Sequence, residues 1–317
     1  MSTAFVFPGQ GSQSVGMGRT LAEAFPAARE AFEEIDDALS QRLTRLMFEG
    51  PESDLTLTEN AQPALMAVSL ATVRVIEREA NVRLAAKGAF VAGHSLGEYS
   101  ALAAAGAMGL ADAARLLKRR GQAMQQAVPV GLGAMAALLG LDLPAAVEVA
   151  AAAAAAGGSE SVCTPANDNA PGQVVVSGHK AAVEKAVALA AERGARRSVM
   201  LPVSAPFHCP LMQPAAEAMR EALGGIDLAP PDLPLVANVT ARAVEDPDEI
   251  RGLLVEQVTA LVRWRESVLY MKERGVHRLI ELGAGKVLTG LARRIDRELD
   301  AVAVGEPDAI ETVLKQL

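Results

Sequence analysis

Residues 90–104 read "FVAGHSLGEYSALAA". An apolar run, Ala89 to Ala92, meets Gly93-His94-Ser95-Leu96-Gly97, and a helix-like tail follows. A strand that turns sharply into a helix strains the residue at its apex and exposes that side chain, so the flanking residues must be small. Gly93 and Gly97 flank Ser95 in this way. Short glycine patterns arise by chance, but this one stands after an apolar run and before a helix, the context it requires. The stretch therefore predicts an α/β fold with Ser95 as a nucleophile at the end of a strand, an ordinary turn serine being the alternative.

The surrounding chain agrees. Ala4 to Phe7 is a second short apolar run, ended by Pro8-Gly9, and reads as a buried strand entering a loop. Helical patterns cover Ala61 to Glu77, Glu98 to Ala107 and Ala111 to Ala127. Strands alternating with helices predict a mostly parallel sheet covered on both faces.

The middle of the chain has a different rhythm. Gly133 to Leu141 is strand-like and Pro144 to Ala156 helix-like. Ser161 to Cys163 and Gln173 to Ser177 look like short strands joined by the turn-rich "TPANDNAPG". Lys180 to Arg193 is helical and Arg196 to Val203 strand-like again. The order βαββαβ is that of a ferredoxin-like unit. The expected division is a large domain, residues 1–129 and 201–317, with an inserted subdomain at 130–200. One continuous sheet is the alternative.

Composition narrows the function. The chain has 317 residues, half of them hydrophobic, enough to bury a large core. Aromatics are only 3%, which favours helices on a sheet over a β-sandwich. A net charge of -8 without a long basic run argues against nucleic acid as a partner. Cys163 and Cys209, the only cysteines, suggest neither a disulfide framework nor a zinc site, and a reducing cytoplasm is the simplest compartment. The N-terminus lacks the regions of a signal peptide, and no apolar run is long enough for a membrane span.

A serine nucleophile needs a base, and there are four histidines. His94 adjoins Ser95, but neighbours on an elbow point apart. His179 follows "QVVVSG" and is expected to cap the next helix; His277 lies before a short strand and looks structural. His208, in "SAPFHCPLM", follows a strand and sits between two prolines that stiffen its loop, so it is the expected base, a loop histidine without a role being the alternative. Cys209 has no elbow of its own. The oxyanion needs two donors: the amide of Leu96 is the natural first, and the loop Pro8 to Gln13, "PGQGSQ", can bring a second because Gly9 and Gly11 let its backbone approach. Neither that loop nor "GAGK" at Gly283 to Lys286 has the spacing of a phosphate-binding P-loop.

The helix Ala111 to Ala127 carries an anomaly. Arg115, Arg119, Gln122 and Gln126 share one polar stripe. Leu116, Arg120 and Met124 share another, apolar except for Arg120. A guanidinium pointing into a core requires an anion. Snorkelling and an internal salt bridge are alternatives to ligand binding. Beside a serine that attacks acyl carbons, an arginine fork suits an acyl group with a free carboxylate at its far end.

The segments "FVFPGQGSQ", "GHSLGEYSAL", "RGQAMQQAVP", "GAMAALLGL", "NDNAPGQVVVSGH", "PVSAPFHCPLM" and "ELGAGKVLTGL", in this order from about residue 4 to 295, resemble the bacterial malonyl-CoA:acyl carrier protein transacylases. The resemblance implies an α/β-hydrolase-like large domain with a ferredoxin-like insert. It implies Ser95 as nucleophile, His208 as base, Arg120 as holder of the malonyl carboxylate, and Gln10 and Leu96 as oxyanion-hole amides. Gln257 would orient the histidine through its main-chain carbonyl, and His94 and Gln62 would line the pocket. Malonyl-CoA and acyl carrier protein would be the partners, with no metal or other cofactor, in a monomer serving fatty acid synthesis. Phe207-His208-Cys209 departs from the smaller or hydroxyl residues common there, which bears on pocket width. Because carrier proteins are acidic and this chain is too, docking would need a local basic patch; Lys286, Arg293 and Arg294, or Lys180 with Arg196 and Arg197, are candidates.

Two rival readings predict different behaviour. A serine hydrolase would usually carry an acid in the order Ser…Asp…His; the main acidic candidate, Asp168, is expected in a turn and so poorly placed. A carrier-binding module without catalysis would form no adduct on Ser95.

Overall fold

The protein is described from a computed structural model that covers residues 2–316. Its strands are β1 (Ser2–Phe7), β2 (Phe90–Gly93), β3 (Gly133–Leu139), β4 (Cys163–Ala170), β5 (Gln173–His179), β6 (Arg197–Met200), β7 (Leu235–Val236), β8 (Ala243–Val244), β9 (Val276–Leu282) and β10 (Asp300–Val304). They form two sheets. The larger has the order β10-β9-β1-β2-β7-β8 and is parallel throughout except for the short β8 at one edge.

The central strand shows why the large sheet is covered twice. Side chains alternate across a strand, and in β1 both sets are apolar. Phe5 and Phe7 enter one core with Leu65, Ile76 and Tyr99, whereas Ala4 and Val6 enter another with Trp264, Val268 and Leu279. The first core contains the long helix Thr58–Ala80, against which the helix Leu110–Ala127 packs. Their approach is close at Gly121, where an added Cβ would lie 2.5 Å from the Glu59 Cα.

The second sheet has the order β4-β5-β3-β6 and is antiparallel. With the helices Leu143–Ala156 and Lys180–Glu192 it makes the expected βαββαβ unit, around its own core of Leu138, Val149, Val174 and Val183. A single continuous sheet is excluded.

One segment departs from expectation. "TPANDNAPG" is not a long turn: its residues extend β4 to Ala170, and the reversal narrows to Pro171 and Gly172. The strand persists because it has a second partner. Asp168 N–H donates to the Val262 carbonyl and Val262 N–H to the Ala166 carbonyl, each at 2.9 Å. Asp168 therefore lies in a strand, buried, with its carboxylate 2.8 Å from the Arg265 guanidinium. Polar residues that mimic a turn in sequence here tie the second sheet to the region around the first.

Candidate active site

The strand-to-helix turn is as tight as the glycines require. An added Cβ on Gly93 would lie 1.9 Å from the Gly97 carbonyl carbon, and one on Gly97 would lie 2.3 Å from the Phe7 oxygen. Ser95 has φ 55°, in the left-handed region that L-residues avoid. Asn238, buried just after β7, holds this conformation. Its Oδ1 accepts the Ser95 N–H at 2.8 Å, and its Nδ2 donates to the Gly93 carbonyl at 2.6 Å.

His208 also has a left-handed φ, 56°, and is buried. Its Nε2 lies 2.8 Å from Ser95 Oγ, and its Nδ1 lies 2.8 Å from the Gln257 carbonyl oxygen. A carbonyl only accepts, so Nδ1 carries the proton and Nε2 is free to take one from the hydroxyl. Burial, and then the Arg120 guanidinium, push the His208 pKa down to about 3, so the imidazole is neutral at physiological pH.

Arg120 neither snorkels nor reaches solvent; it is 1% exposed. Nη1 donates to Gln62 Oε1 at 2.8 Å, and Nη2 donates to Gln257 Oε1 at 2.8 Å and to Ser95 Oγ at 3.1 Å. These acceptors are two amide oxygens and a hydroxyl, none of them charged. The guanidinium stands 5.8 Å from the Tyr99 ring centre, and its Nε has no partner. Burial holds its pKa below the usual arginine value, opposed by Tyr99 and Glu98. A buried cation with donors in hand is suited to an incoming anion.

Ser95, His208, Arg120, Gln62, His94 and Gln10 line one cavity of about 810 Å³, together with Leu96 and Phe207. Gln10 is placed by Thr58, whose hydroxyl donates to Gln10 Oε1 at 2.9 Å and accepts from Gln62 Nε2 at 3.1 Å. Gly9 allows the loop to lie on the elbow: a Cβ there would lie 2.7 Å from the His94 oxygen. Ser95 N–H is occupied by Asn238, and Leu96 and Gln10 border the same cavity as the Ser95 hydroxyl.

The other candidate bases and the second candidate nucleophile have partners other than the Ser95 hydroxyl or lie elsewhere. His94 Nε2 is 2.8 Å from Asn169 Oδ1, and burial lowers its pKa. His179 is the first residue before its helix but makes no side-chain cap; its Nδ1 instead accepts from Val162 N–H at 3.0 Å, because the β4–β5 pairing turns the ring back toward β4. His277 is exposed on β9. The Cys209 thiol donates to the Pro206 carbonyl, and burial pushes its pKa up, the opposite of an activated thiolate.

The sequence reading missed Asn238, Glu98 and Thr58. Glu98 offered one signal, an acidic residue in a segment otherwise destined for the core.

The chemistry that such a cavity supports is acyl transfer, and the protein is an acyltransferase. Residues 4–305 match the family described as the acyl transferase domain, and the chain belongs to that family. It is 45% identical over 314 residues to the malonyl CoA-acyl carrier protein transacylase of Bacillus subtilis (strain 168), covering 99% of this chain and 96% of that protein. It is 47% identical over 312 residues to the protein of that name from Escherichia coli (strain K12), covering 98% of each. Among solved structures, an acyl-carrier-protein-S-malonyltransferase from Bartonella henselae superposes with a TM-score of 0.96 at 55% identity, over 100% of this chain and 99% of that one. A malonyl-transacylase solved in complex with its type II PKS acyl-carrier protein gives 0.95 at 42% identity over 100% of both chains.

Proposed function

We propose that the chain transfers the malonyl group of malonyl-CoA to the phosphopantetheine thiol of acyl carrier protein, through a malonyl ester on Ser95, and so supplies malonyl-ACP for fatty acid synthesis. The carrying observation is the buried Arg120 guanidinium within 3.1 Å of the Ser95 oxygen. The names of the relatives support the same substrate and acceptor.

Ser95 Oγ attacks the thioester carbon as its proton passes to His208 Nε2. The Leu96 and Gln10 amides hold the tetrahedral oxyanion, each donor worth about 2.7–4 kcal/mol by analogy with measured oxyanion holes. The C–S bond breaks, the imidazolium returns its proton to the departing thiolate, and coenzyme A leaves. The carrier thiol then attacks the ester with His208 again as base, and Ser95 regains its proton. Atoms and electrons balance without a redox group. Arg120 holds the malonyl carboxylate throughout, Gln257 orients His208 through its carbonyl, and Gln62 and His94 shape the pocket.

A hydrolase is the second reading. The neutral carbonyl of Gln257, where many hydrolases place a carboxylate at the histidine, counts against it. Asp168 is engaged with Arg265 instead. Intact mass of the enzyme after malonyl-CoA, with and without carrier protein, tests the proposal. A malonyl adduct on Ser95 that moves to the carrier is expected; rapid loss to water, indifferent to carrier, overturns it.

The division of the chain fits this role. Residues 1–129 and 201–317 provide the nucleophile, base and arginine, while 130–200 provides the wall with Met135 and Asn167. The carrier docks on an exposed basic patch for which Lys286, Arg293 and Arg294, or Lys180, Arg196 and Arg197, are candidates; all are exposed. Among the described residues no helix is long and apolar enough to cross a membrane. We place the reaction in the cytoplasm, where two buried free thiols stay reduced.

A further inference from the structure

Glu98 is buried yet lines no part of the catalytic cavity. Burying a carboxylate is costly, and the cost is offset only if its oxygens are well satisfied. One oxygen accepts the Asn238 N–H at 2.5 Å, and the other accepts from Gln257 Nε2. Gln257 Nε2 also donates to the Ser95 carbonyl at 2.9 Å, and Gln257 Oε1 accepts from Arg120. Gln257 thus touches Ser95 and Arg120 with its side chain and His208 with its backbone.

An amide side chain can face either way, and its neighbours decide which end is oxygen. On one side of Gln257 stand two acceptors, the Ser95 carbonyl and the Glu98 carboxylate. They demand the NH2 there, which leaves the oxygen for Arg120. We propose that Glu98 is a positioning residue: it fixes the direction of the Gln257 amide and thereby the aim of Arg120 at the carboxylate of the acyl group. The inference rests on the proposed role of Arg120.

Glu98→Gln makes the case testable. Asn238 N–H still requires an oxygen at one end of the new amide, so its NH2 faces the Gln257 NH2. That donor–donor contact is relieved only if Gln257 turns over, which sets an NH2 against the guanidinium. On that turn Arg120 loses its Gln257 acceptor and the Ser95 carbonyl its Gln257 donor, while the Ser95 Oγ–His208 contact and the His208 contact with the Gln257 backbone carbonyl remain.

The experiment compares two rates in the full chain at about pH 9, above the value of about 8 to which burial pushes the Glu98 carboxyl, so that the parent carries a carboxylate there. One is acylation of Ser95 by malonyl-CoA, followed by intact mass; the other is labelling of Ser95 by a neutral fluorophosphonate, which needs the serine and histidine but no carboxylate site. In E98Q the malonyl rate is expected to fall about tenfold or more, as for loss of a hydrogen bond to a charged group, with fluorophosphonate labelling within about threefold of the parent. Parallel loss of both rates, or an unchanged ratio, overturns the inference. If E98Q does not fold, Glu98→Asp decides by the same ratio, because the shorter carboxylate cannot reach both Asn238 and Gln257. Failure of the parent chain to take malonyl on Ser95 would instead remove the proposed function itself.

Discussion

Arg120 donates from Nη2 to the Ser95 Oγ across 3.1 Å. The same oxygen lies 2.8 Å from His208 Nε2, so the hydroxyl accepts from the cation and donates to the base. One guanidinium therefore does two things. It adds its repulsion to the larger effect of burial in keeping His208 neutral, and in the proposed reaction it is the group that meets the carboxylate at the far end of the acyl group.

Arg120→Ala removes the proposed anion site and leaves the Ser95–His208 contact. Two parallel charge-assisted hydrogen bonds, each worth about 1.5–3 kcal/mol, predict a loss of about 10²–10⁴-fold in kcat/KM for malonyl-CoA. Acetyl-CoA, with no carboxylate to place, should be used nearly as before or better, since a buried cation no longer faces it. Steady-state kinetics on both thioesters checks this.

The pH dependence should have two parts. His208 is held down to about 3 by burial and Arg120, so the base stays unprotonated above that value. The acid limb of kcat/KM should fall well below the ordinary histidine value near 6.5. Glu98 is pushed up to about 8 by burial, against the Asn238 amide, the Gln257 side chain and Arg120, with Tyr99 beside it on the same helix. Protonation of that carboxyl removes an acceptor facing Gln257, so malonyl use relative to neutral acyl groups should rise as pH is raised through about 8. A pH series of the two acylation rates separates the limbs.

What was legible in the sequence was local. Gly93 and Gly97 announce the elbow because a Cβ at either would strike backbone, and Arg120 stands out because helical spacing turns it inward. His208 stands out between its prolines, although nothing local says that its Nδ1 meets the Gln257 carbonyl. Asn238 and Glu98 could not be read in this way. Their roles arise from contacts spanning 140 or more residues, Asn238 with Glu98, Ser95 and Gly93. The β4 segment misled for a related reason: its asparagines and aspartate look like turn formers, yet they pair with β5 on one side and with a distant partner at Val262 on the other.

Asn238→Ala should damage stability and catalysis together. It leaves the Ser95 N–H and the Gly93 carbonyl without their partner at a strained turn. A buried group stripped of its bond costs about 1–3 kcal/mol. A lower thermal midpoint is expected, with slower fluorophosphonate labelling as well as slower malonylation. That joint loss contrasts with the selective one expected for Arg120→Ala, and differential scanning calorimetry with the two labelling rates distinguishes them.

Gly121→Ala tests the link between helix packing and substrate choice. Alanine in a helix is favoured over glycine by about 0.8–1 kcal/mol, so an open site would gain. Here the new Cβ would meet the Glu59 Cα at 2.5 Å and the Thr58 oxygen at 2.6 Å. Backbone cannot rotate aside as a side chain can, so the Leu110–Ala127 helix must move away from Thr58–Ala80. Overpacking of this kind costs about 1–3 kcal/mol, which exceeds the propensity gain over most of its range. Arg120 is the preceding residue and reaches Gln62 across that same contact. The displacement therefore draws the guanidinium off Gln62 and off line with Ser95. A midpoint lower by a few degrees, a raised KM for malonyl-CoA and near-normal fluorophosphonate labelling are expected. A stabilised protein with unchanged malonyl KM would show that the two helices do not set the arginine's position.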